Sequence, residues 1–308
     1  MTTTPNWEAD VTTNPSLHAL CMGLGLLTGA VGSAEAAPLV LLTESGFGQG
    51  LVSIDSTQPG LATSSMSFIT GLGSGERVVG IDYRPATGEL YGLSDGSALY
   101  RLDPASGAAT KVGTGFATAL NGGTHGFGFD FNPVIDRIRI VSDANQNLVA
   151  HPVTGNANVA TTVDVFYAAG DANVGRDPNV VHHAYDRNFA GTSATQLYAI
   201  DTRLDVLVKQ ANNAGTLTTV GALGVDALDI GGFDISAGNL AFAVFADIGT
   251  GSSRLYQLDL TSGAATDLGR IGAVVSGVAV APVPLPAGLP LLSLAVAGLL
   301  GLGRSKRA

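Results

Sequence analysis

Two short phrases recur along this chain at nearly constant spacing, and a spacing of that size leaves few folds open. The first is a Gly-apolar-Asp phrase: Val79-Gly80-Ile81-Asp82-Tyr83, Phe127-Gly128-Phe129-Asp130-Phe131, His183-Ala184-Tyr185-Asp186-Arg187 and Gly231-Gly232-Phe233-Asp234-Ile235. The second reads Leu-Tyr-x-Leu-Asp in its fullest form. It starts at Leu51, Leu99, Leu148, Leu197 and Leu255, with steps of 48, 49, 49 and 58 residues. A unit of that length cannot bury its own apolar faces and must stack on its neighbours, as propeller blades and solenoid rungs do.

The clearest unit predicts four short strands, over residues 78–83, 89–93, 98–103 and 108–112. Alternating apolar residues support strands, and Pro85-Ala86-Thr87-Gly88 and Pro104-Ala105-Ser106-Gly107 supply the turns. The first unit, from Leu39, lacks a Gly-apolar-Asp strand, whereas Val275-Ser276-Gly277-Val278-Ala279-Val280 stands alone after the last unit. Pairing that lone strand into the first unit closes a ring and removes two exposed sheet edges. The expectation is an all-β chain folded as a five-bladed β-propeller, four strands to a blade, closed by strands from both ends of the body. An open β-solenoid is the alternative, with rungs that are normally shorter than these units.

Composition agrees with this and excludes several functions. The 42 glycines and 13% charged residues suit many tight turns, and 45% hydrophobic residues are enough for a core. Removing both ends takes away Glu8, Asp10 and Glu35 together with Arg304, Lys306 and Arg307, so the body keeps the formal charge of −10. An acidic body repels phosphate backbones, so nucleic acid is not an expected partner. The one cysteine, Cys21, lies before the body, which leaves the body no thiol chemistry and no disulfide.

The two ends point outward from the cytoplasm. Residues 20–31 are apolar or small, the length of a signal core, and Ala34-Glu35-Ala36 reads as a small-x-small cleavage site between Ala36 and Ala37. No Lys or Arg precedes that core, unlike an ordinary signal. At the other end Val283-Pro284-Leu285-Pro286-Ala287 precedes an apolar run over residues 287–303, long enough for a short membrane-spanning helix. Arg304, Lys306 and Arg307 follow, and positive charge stays on the cytoplasmic side. The expected division is 1–36 signal, 37–282 repeat body, and 283–308 motif, helix and basic end.

That tail resembles the PEP-CTERM class of sorting signals, in its VPLPA variant. The resemblance implies recognition by an exosortase, a membrane transpeptidase that cuts near the short motif. It also implies a periplasmic, surface or matrix destination in a Gram-negative bacterium, with the inner membrane as a transient anchor. The body resembles a second family. The phrases Gly128-Phe129-Asp130-Phe131-Asn132-Pro133, Asp136-Arg137-Ile138-Arg139-Ile140-Val141-Ser142-Asp143, Gln146-Asn147-Leu148 and Leu197-Tyr198-Ala199-Ile200-Asp201-Thr202 are similar to the bacterial domain of unknown function numbered 4394. That likeness implies membership and carries no activity.

Few residues suggest chemistry. Asp82, Asp130, Asp186 and Asp234 share one repeat position, so a ring of carboxylates near the axis could hold Ca²⁺. The competing reading has each aspartate accepting backbone N–H groups of the following turn. Arg137, Arg139, Asp143 and Asn145 form the densest polar cluster. Arg137 and Arg139, two apart, share one side of a strand and could grip a carboxylate or sugar acid, or form salt bridges between blades. Gly170-Asp171-Ala172-Asn173 has the alternating oxygens of a Ca²⁺ loop but lacks the terminal Glu, and an ordinary turn fits it. His182 and His183, adjacent on a strand, face opposite ways. No catalytic residues are expected. The leading expectation is an exported binding module for extracellular polysaccharide or an envelope protein. The alternative is a secreted metal-dependent propeller hydrolase of lactonase-like type.

Overall fold

The computed structural model describes residues 36–60 and 66–282. The expected signal core, the VPLPA motif, the apolar run and the basic end all fall outside them. The described body is a five-bladed β-propeller. Among the described residues the helical content is one 3-10 turn (Asn212–Ala214), and no helix is long and apolar enough to cross a membrane.

The chain runs through β1 (Pro38–Ser45), β2 (Gly48–Asp55), β3 (Ser67–Phe68), β4 (Val78–Tyr83), β5 (Leu90–Ser94), β6 (Ala98–Leu102) and β7 (Ala109–Val112). It continues through β8 (Phe127–Asn132), β9 (Arg137–Ser142), β10 (Asn147–Ala150), β11 (Phe166–Tyr167), β12 (Val180–Tyr185), β13 (Leu197–Asp201), β14 (Val206–Ala211) and β15 (Thr216–Ala222). It ends with β16 (Gly231–Ile235), β17 (Ala241–Asp247), β18 (Ser252–Leu258), β19 (Ala265–Ile271) and β20 (Val274–Val280). Read outward from the axis, the sheets are β20-β1-β2-β3, β4-β5-β6-β7, β8-β9-β10, β12-β13-β14-β15-β11 and β16-β17-β18-β19. The five inner strands β20, β4, β8, β12 and β16 pack side by side around the ring. The last strand supplies the inner position of the first blade, with Leu39 opposite Val280 and Leu41 opposite Val278.

Both faces of each blade are buried, and strand periodicity explains how. In β5, Leu90 enters the core shared with the first blade, while Tyr91 and Leu93 enter the core shared with the third. In β1, Val40 and Leu42 face the second blade, whereas Leu39 and Leu41 face the fifth. Side chains alternate across a strand, so one segment feeds two interfaces. This is why strands such as Val180–Tyr185 are buried throughout and carry no solvent-facing side.

Two expectations need correction. The third blade has three strands and the fourth has five. After β10 the chain makes a tight turn, with Gly155 N–H donating to His151 O, and Val159 N–H reaches Val149 O as the remnant of a fourth strand. The chain then crosses to the next blade, where Phe166–Tyr167 pairs parallel to Thr216–Leu217 on the outside of β15. The second correction concerns register. Leu51, Leu99, Leu148 and Leu255 lie on third strands (β2, β6, β10, β18), but Leu197 lies on a second strand, β13. The surplus residues therefore precede the fourth blade, in the crossing over residues 152–179, and do not follow it.

Inner strands approach so closely that some positions admit only hydrogen. A Cβ on Gly128 would lie 1.8 Å from His183 Nδ1, and one on Gly232 would lie 2.6 Å from Val278 N. The glycine of the Gly-apolar-Asp phrase is thus a spacing requirement between blades. Gly128→Ala is expected to destabilise the body by about 1–3 kcal/mol, the usual cost of overpacking, measured by urea unfolding. Truncation after Gly272, which deletes β20, is expected to abolish the cooperative thermal transition. A chain ending at Pro282 is expected to keep it.

Candidate functional site

The inner strands bring Asp82, Asp130 and Asp234 together near the axis. Each offers a carboxylate oxygen within 4.8 Å of the other two, and each residue is 1% exposed. Each carboxylate reaches the next inner strand round the ring. Asp82 Oδ2 accepts Phe131 N–H at 2.8 Å, Asp130 Oδ1 accepts Tyr185 N–H at 3.0 Å, and Asp234 Oδ2 accepts Val280 N–H at 2.6 Å. These three N–H groups come from the neighbouring blade and not from the turn that follows the aspartate.

These bonds fix the true repeat position. The residues that donate them follow Asp130, Ala184 and Ala279, so the ring reads Asp82, Asp130, Ala184, Asp234, Ala279. Asp186, expected in that ring, lies two residues further along. Its Oδ1 accepts Gln196 N–H at 2.6 Å and meets Arg187 at 3.0 Å. Where Ala184 precedes the fifth blade and offers no carboxylate, Ile235 N–H turns to Asp234 Oδ1 at 2.6 Å.

The cluster is electrostatically unsettled. Burial pushes Asp82 well above the usual carboxylate range, and the charge of Asp234 adds to this. Burial likewise raises Asp130 well above that range, helped by Asp82 and Asp234. Asp234 is pushed up to about 7 by burial, opposed by the N–H groups of Val280 and Ile235. Asp82 Oδ1 and Asp130 Oδ2 have no hydrogen-bond partner among the described residues. One to three residues back along the same strands, a cavity of about 20 Å³ lies on the axis, lined by Gly80, Gly128, His182, His183, Gly232 and Gly277 among others. It has room for about one water-sized occupant.

The other sequence candidates are dispersed. Arg139 is buried in hydrogen bonds to Asn147 Oδ1 (2.8 Å) and Asn213 Oδ1 (2.6 Å), so it ties the third blade to the fourth. Arg137 donates to the carbonyl of Asp136 at 2.8 Å, while Asp136 itself pairs with Arg84 of the second blade. Asp143 accepts Gly123 N–H at 3.0 and 3.1 Å. Asp171 accepts Thr219 N–H at 2.7 Å and pins its loop to β15. His182 Nε2 pairs with Leu228 O and His183 Nε2 with Gln210 Oε1, both at 2.9 Å. Burial lowers both histidines, that of His183 to about 3, so both are neutral near pH 7.

Of the polar candidates, Asn145 alone borders an open recess. This hollow holds about 540 Å³ and is walled by Val165, Phe166, Ala169, Val174, Arg176 and Asp177 with their neighbours. Phe166 is 47% and Val174 55% exposed in it. Asn145 Nδ2 donates to Asp177 Oδ1 at 2.9 Å, and Asn145 Oδ1 is buried without a hydrogen-bond partner. The crossing over residues 152–179 builds most of this wall. The sequence marks it as surplus length in the repeat once Leu197 is aligned with Leu90: Leu90-Tyr91-Gly92-Leu93 matches Leu197-Tyr198-Ala199-Ile200 as well as Leu99-Tyr100 does.

Comparison with known proteins adds a family and distant folds. The family model described as Domain of unknown function (DUF4394) matches residues 50–280. No curated protein matches. Among solved structures, the glutaminyl cyclase of Myxococcus xanthus is similar at TM-score 0.42 and 13% identity, covering 73% of this chain and 96% of that one. An auxiliary nutrient binding protein of Bacteroides ovatus gives TM-score 0.38 and 11% identity, over 64% of this chain and 43% of that one. Its counterpart from Bacteroides thetaiotaomicron gives TM-score 0.38 and 11% identity, over 78% and 51%. The chain thus spans about half the length of those two binding proteins, and at these distances none of the three bears on its function.

Three raised carboxyl groups have a measurable consequence in chelator. A group whose pKa is higher in the folded state gives its full stability below the unfolded value and loses it as pH rises through the folded value. The window here runs from about 4, the ordinary carboxylate value, to about 7, where Asp234 stands. Neutral buried His182 and His183 act in the opposite sense, so the difference between two proteins is the useful reading. In EDTA, Asp82→Asn is expected to gain stability on the parent as pH rises above the ordinary carboxylate range, by urea unfolding at each pH.

Proposed function

The chain belongs to the DUF4394 family, and from that premise we propose that it is an exported binding module that acts without catalysis. The observation that carries the reading is the recess beside Asn145. Its volume lies in the range of ligand clefts, and its wall is mostly apolar with a few polar groups, the mixture that such clefts use. An exposed aromatic face at Phe166 suits the apolar face of a sugar ring. The Arg176 guanidinium suits a carboxylate. A polysaccharide containing sugar acids is therefore the ligand class proposed.

Export belongs to the same proposal. Ala37, the residue after the expected cut, is buried and donates its N–H to Ser56 Oγ at 2.9 Å, so a new amino terminus there would sit at the start of β1 with a ready partner. At the other end Ala281 N–H bonds to Pro38 O, immediately before the Val283–Ala287 motif. Both proposed cuts would leave the ring whole. Processing by an exosortase and placement in the envelope or extracellular matrix complete the reading. The hydrolase alternative draws on the three carboxylates, but at 1% exposure they offer a substrate no approach.

The recess is tested by binding. The protein is expected to retain an acidic exopolysaccharide in pull-down and on a glycan array. Phe166→Ala and Arg176→Ala are each expected to weaken that binding at least about tenfold, the scale of a lost anchor residue, with unchanged thermal stability. Equal binding by both variants, or no binding to any acidic glycan, would count against the reading. Mass spectrometry of the protein from its host is expected to find termini at Ala37 and near Ala287.

A further inference from the structure

We propose that the three axial carboxylates of Asp82, Asp130 and Asp234 bind one Ca²⁺ ion, which ties the second, third and fifth blades together at the axis. This does not depend on the recess or its ligand. Two separate observations lead to it. The first is geometric: an oxygen from each residue lies within 4.8 Å of the others. Ca²⁺–oxygen bonds run to about 2.4 Å, so two ligands of one ion stand up to twice that far apart. Ligand oxygens that close admit one hard cation, and a site of carboxylates completed by water favours Ca²⁺, which accepts irregular geometry, over Mg²⁺, which demands a near-ideal octahedron.

The second observation is the hydrogen-bond accounting. Four backbone N–H groups bond to the three carboxylates, from Phe131, Tyr185, Val280 and Ile235, and the Tyr83 N–H also favours charge on Asp82. Two oxygens are left over, Asp82 Oδ1 and Asp130 Oδ2, each fully buried and without a hydrogen-bond partner among the described residues. A buried carboxylate oxygen left unpaired is costly. One proton shared between those two oxygens would leave Asp234 apart, whereas a cation meets all three carboxylates together. The remaining coordination positions fall to water. Ala184 and Ala279 stand at the two other ring positions and offer no ligand, and the axial cavity of about 20 Å³ lies one to three residues back along the strands. Ca²⁺ commonly keeps some water among its six to eight ligands.

Because the site is closed, the ion enters as the ring forms, and the effect is on folding and stability. The full chain would be unfolded in guanidinium with EDTA and refolded in EDTA, in CaCl₂ or in MgCl₂. The CaCl₂ sample is expected to retain about one equivalent of calcium after gel filtration. Its melting temperature is expected to rise by more than about 5 °C over the EDTA sample, the scale given by saturating binding to the folded state alone. Asp130→Asn keeps an acceptor for Tyr185 N–H and is expected to lose both effects, whereas Asp186→Asn, outside the cluster, keeps them. Anomalous scattering from parent crystals grown in CaCl₂ covers the case in which Asp130→Asn does not fold, and a peak between the three carboxylates is expected. The proposal is overturned by a refolded protein that retains no calcium, by calcium retention unaffected in folded Asp130→Asn, by a response to MgCl₂ alone, or by an empty axis in those crystals.

Discussion

The rest of this structure depends on one strand pairing, that of Val274–Val280 with Pro38–Ser45. Each blade buries both of its faces, so each needs a neighbour on both sides. An open row of five would leave one blade face bare at each end. Joining the last strand to the first blade converts the row into a ring and supplies both missing neighbours in one step. The core between the first and fifth blades, with Leu39, Leu41, Phe242, Val244 and Val278, forms only through that closure. The added strand also covers the edge of β1, which would otherwise template pairing with another chain, and leaves the new edge on the axis.

Closure brings five inner strands into a space that tolerates little bulk, and the Gly-apolar-Asp phrase answers that constraint twice. Its glycine lets one strand pass against the next, as Gly128 passes His183. Its aspartate reaches across to a backbone N–H of the following strand, as Asp82 does at Phe131. The same device creates the axial problem of the molecule, since three carboxylates converge where water is scarce. A neighbouring cation or bound protons must then offset their charge. Structural need and chemical opportunity arise here from the same three residues.

The recess has a different origin. It lies where the repeat is broken, between the third and fourth blades. The third blade gives up its fourth strand, and the chain crosses to add Phe166–Tyr167 to the fourth. Loops that depart from a rigid scaffold are the usual place for recognition, because they vary without disturbing the core. The axial cluster and the recess thus divide the molecule between a closed centre that sets stability and an open edge suited to contact.

The sequence by itself determined the all-β class, the five units, and closure by Val275–Val280, because a period near 49 residues and a lone last strand allow little else. It also marked Asp82, Asp130 and Asp234 as equivalent. It misplaced Asp186, since β12 carries His182 where its counterparts carry glycine and Ala184 where β4, β8 and β16 carry aspartate. With both marks missing, the nearest aspartate was the natural match. Only the tertiary structure decided that Ala184 holds the position, because the evidence is a hydrogen bond from Tyr185 to Asp130 across 55 residues. The pairing of Arg139 with Asn213 was equally hidden, at a separation of 74 residues. Periodicity records what each strand needs from its own unit. Contacts between blades are set by the ring, and a linear pattern carries no measure of distance across it.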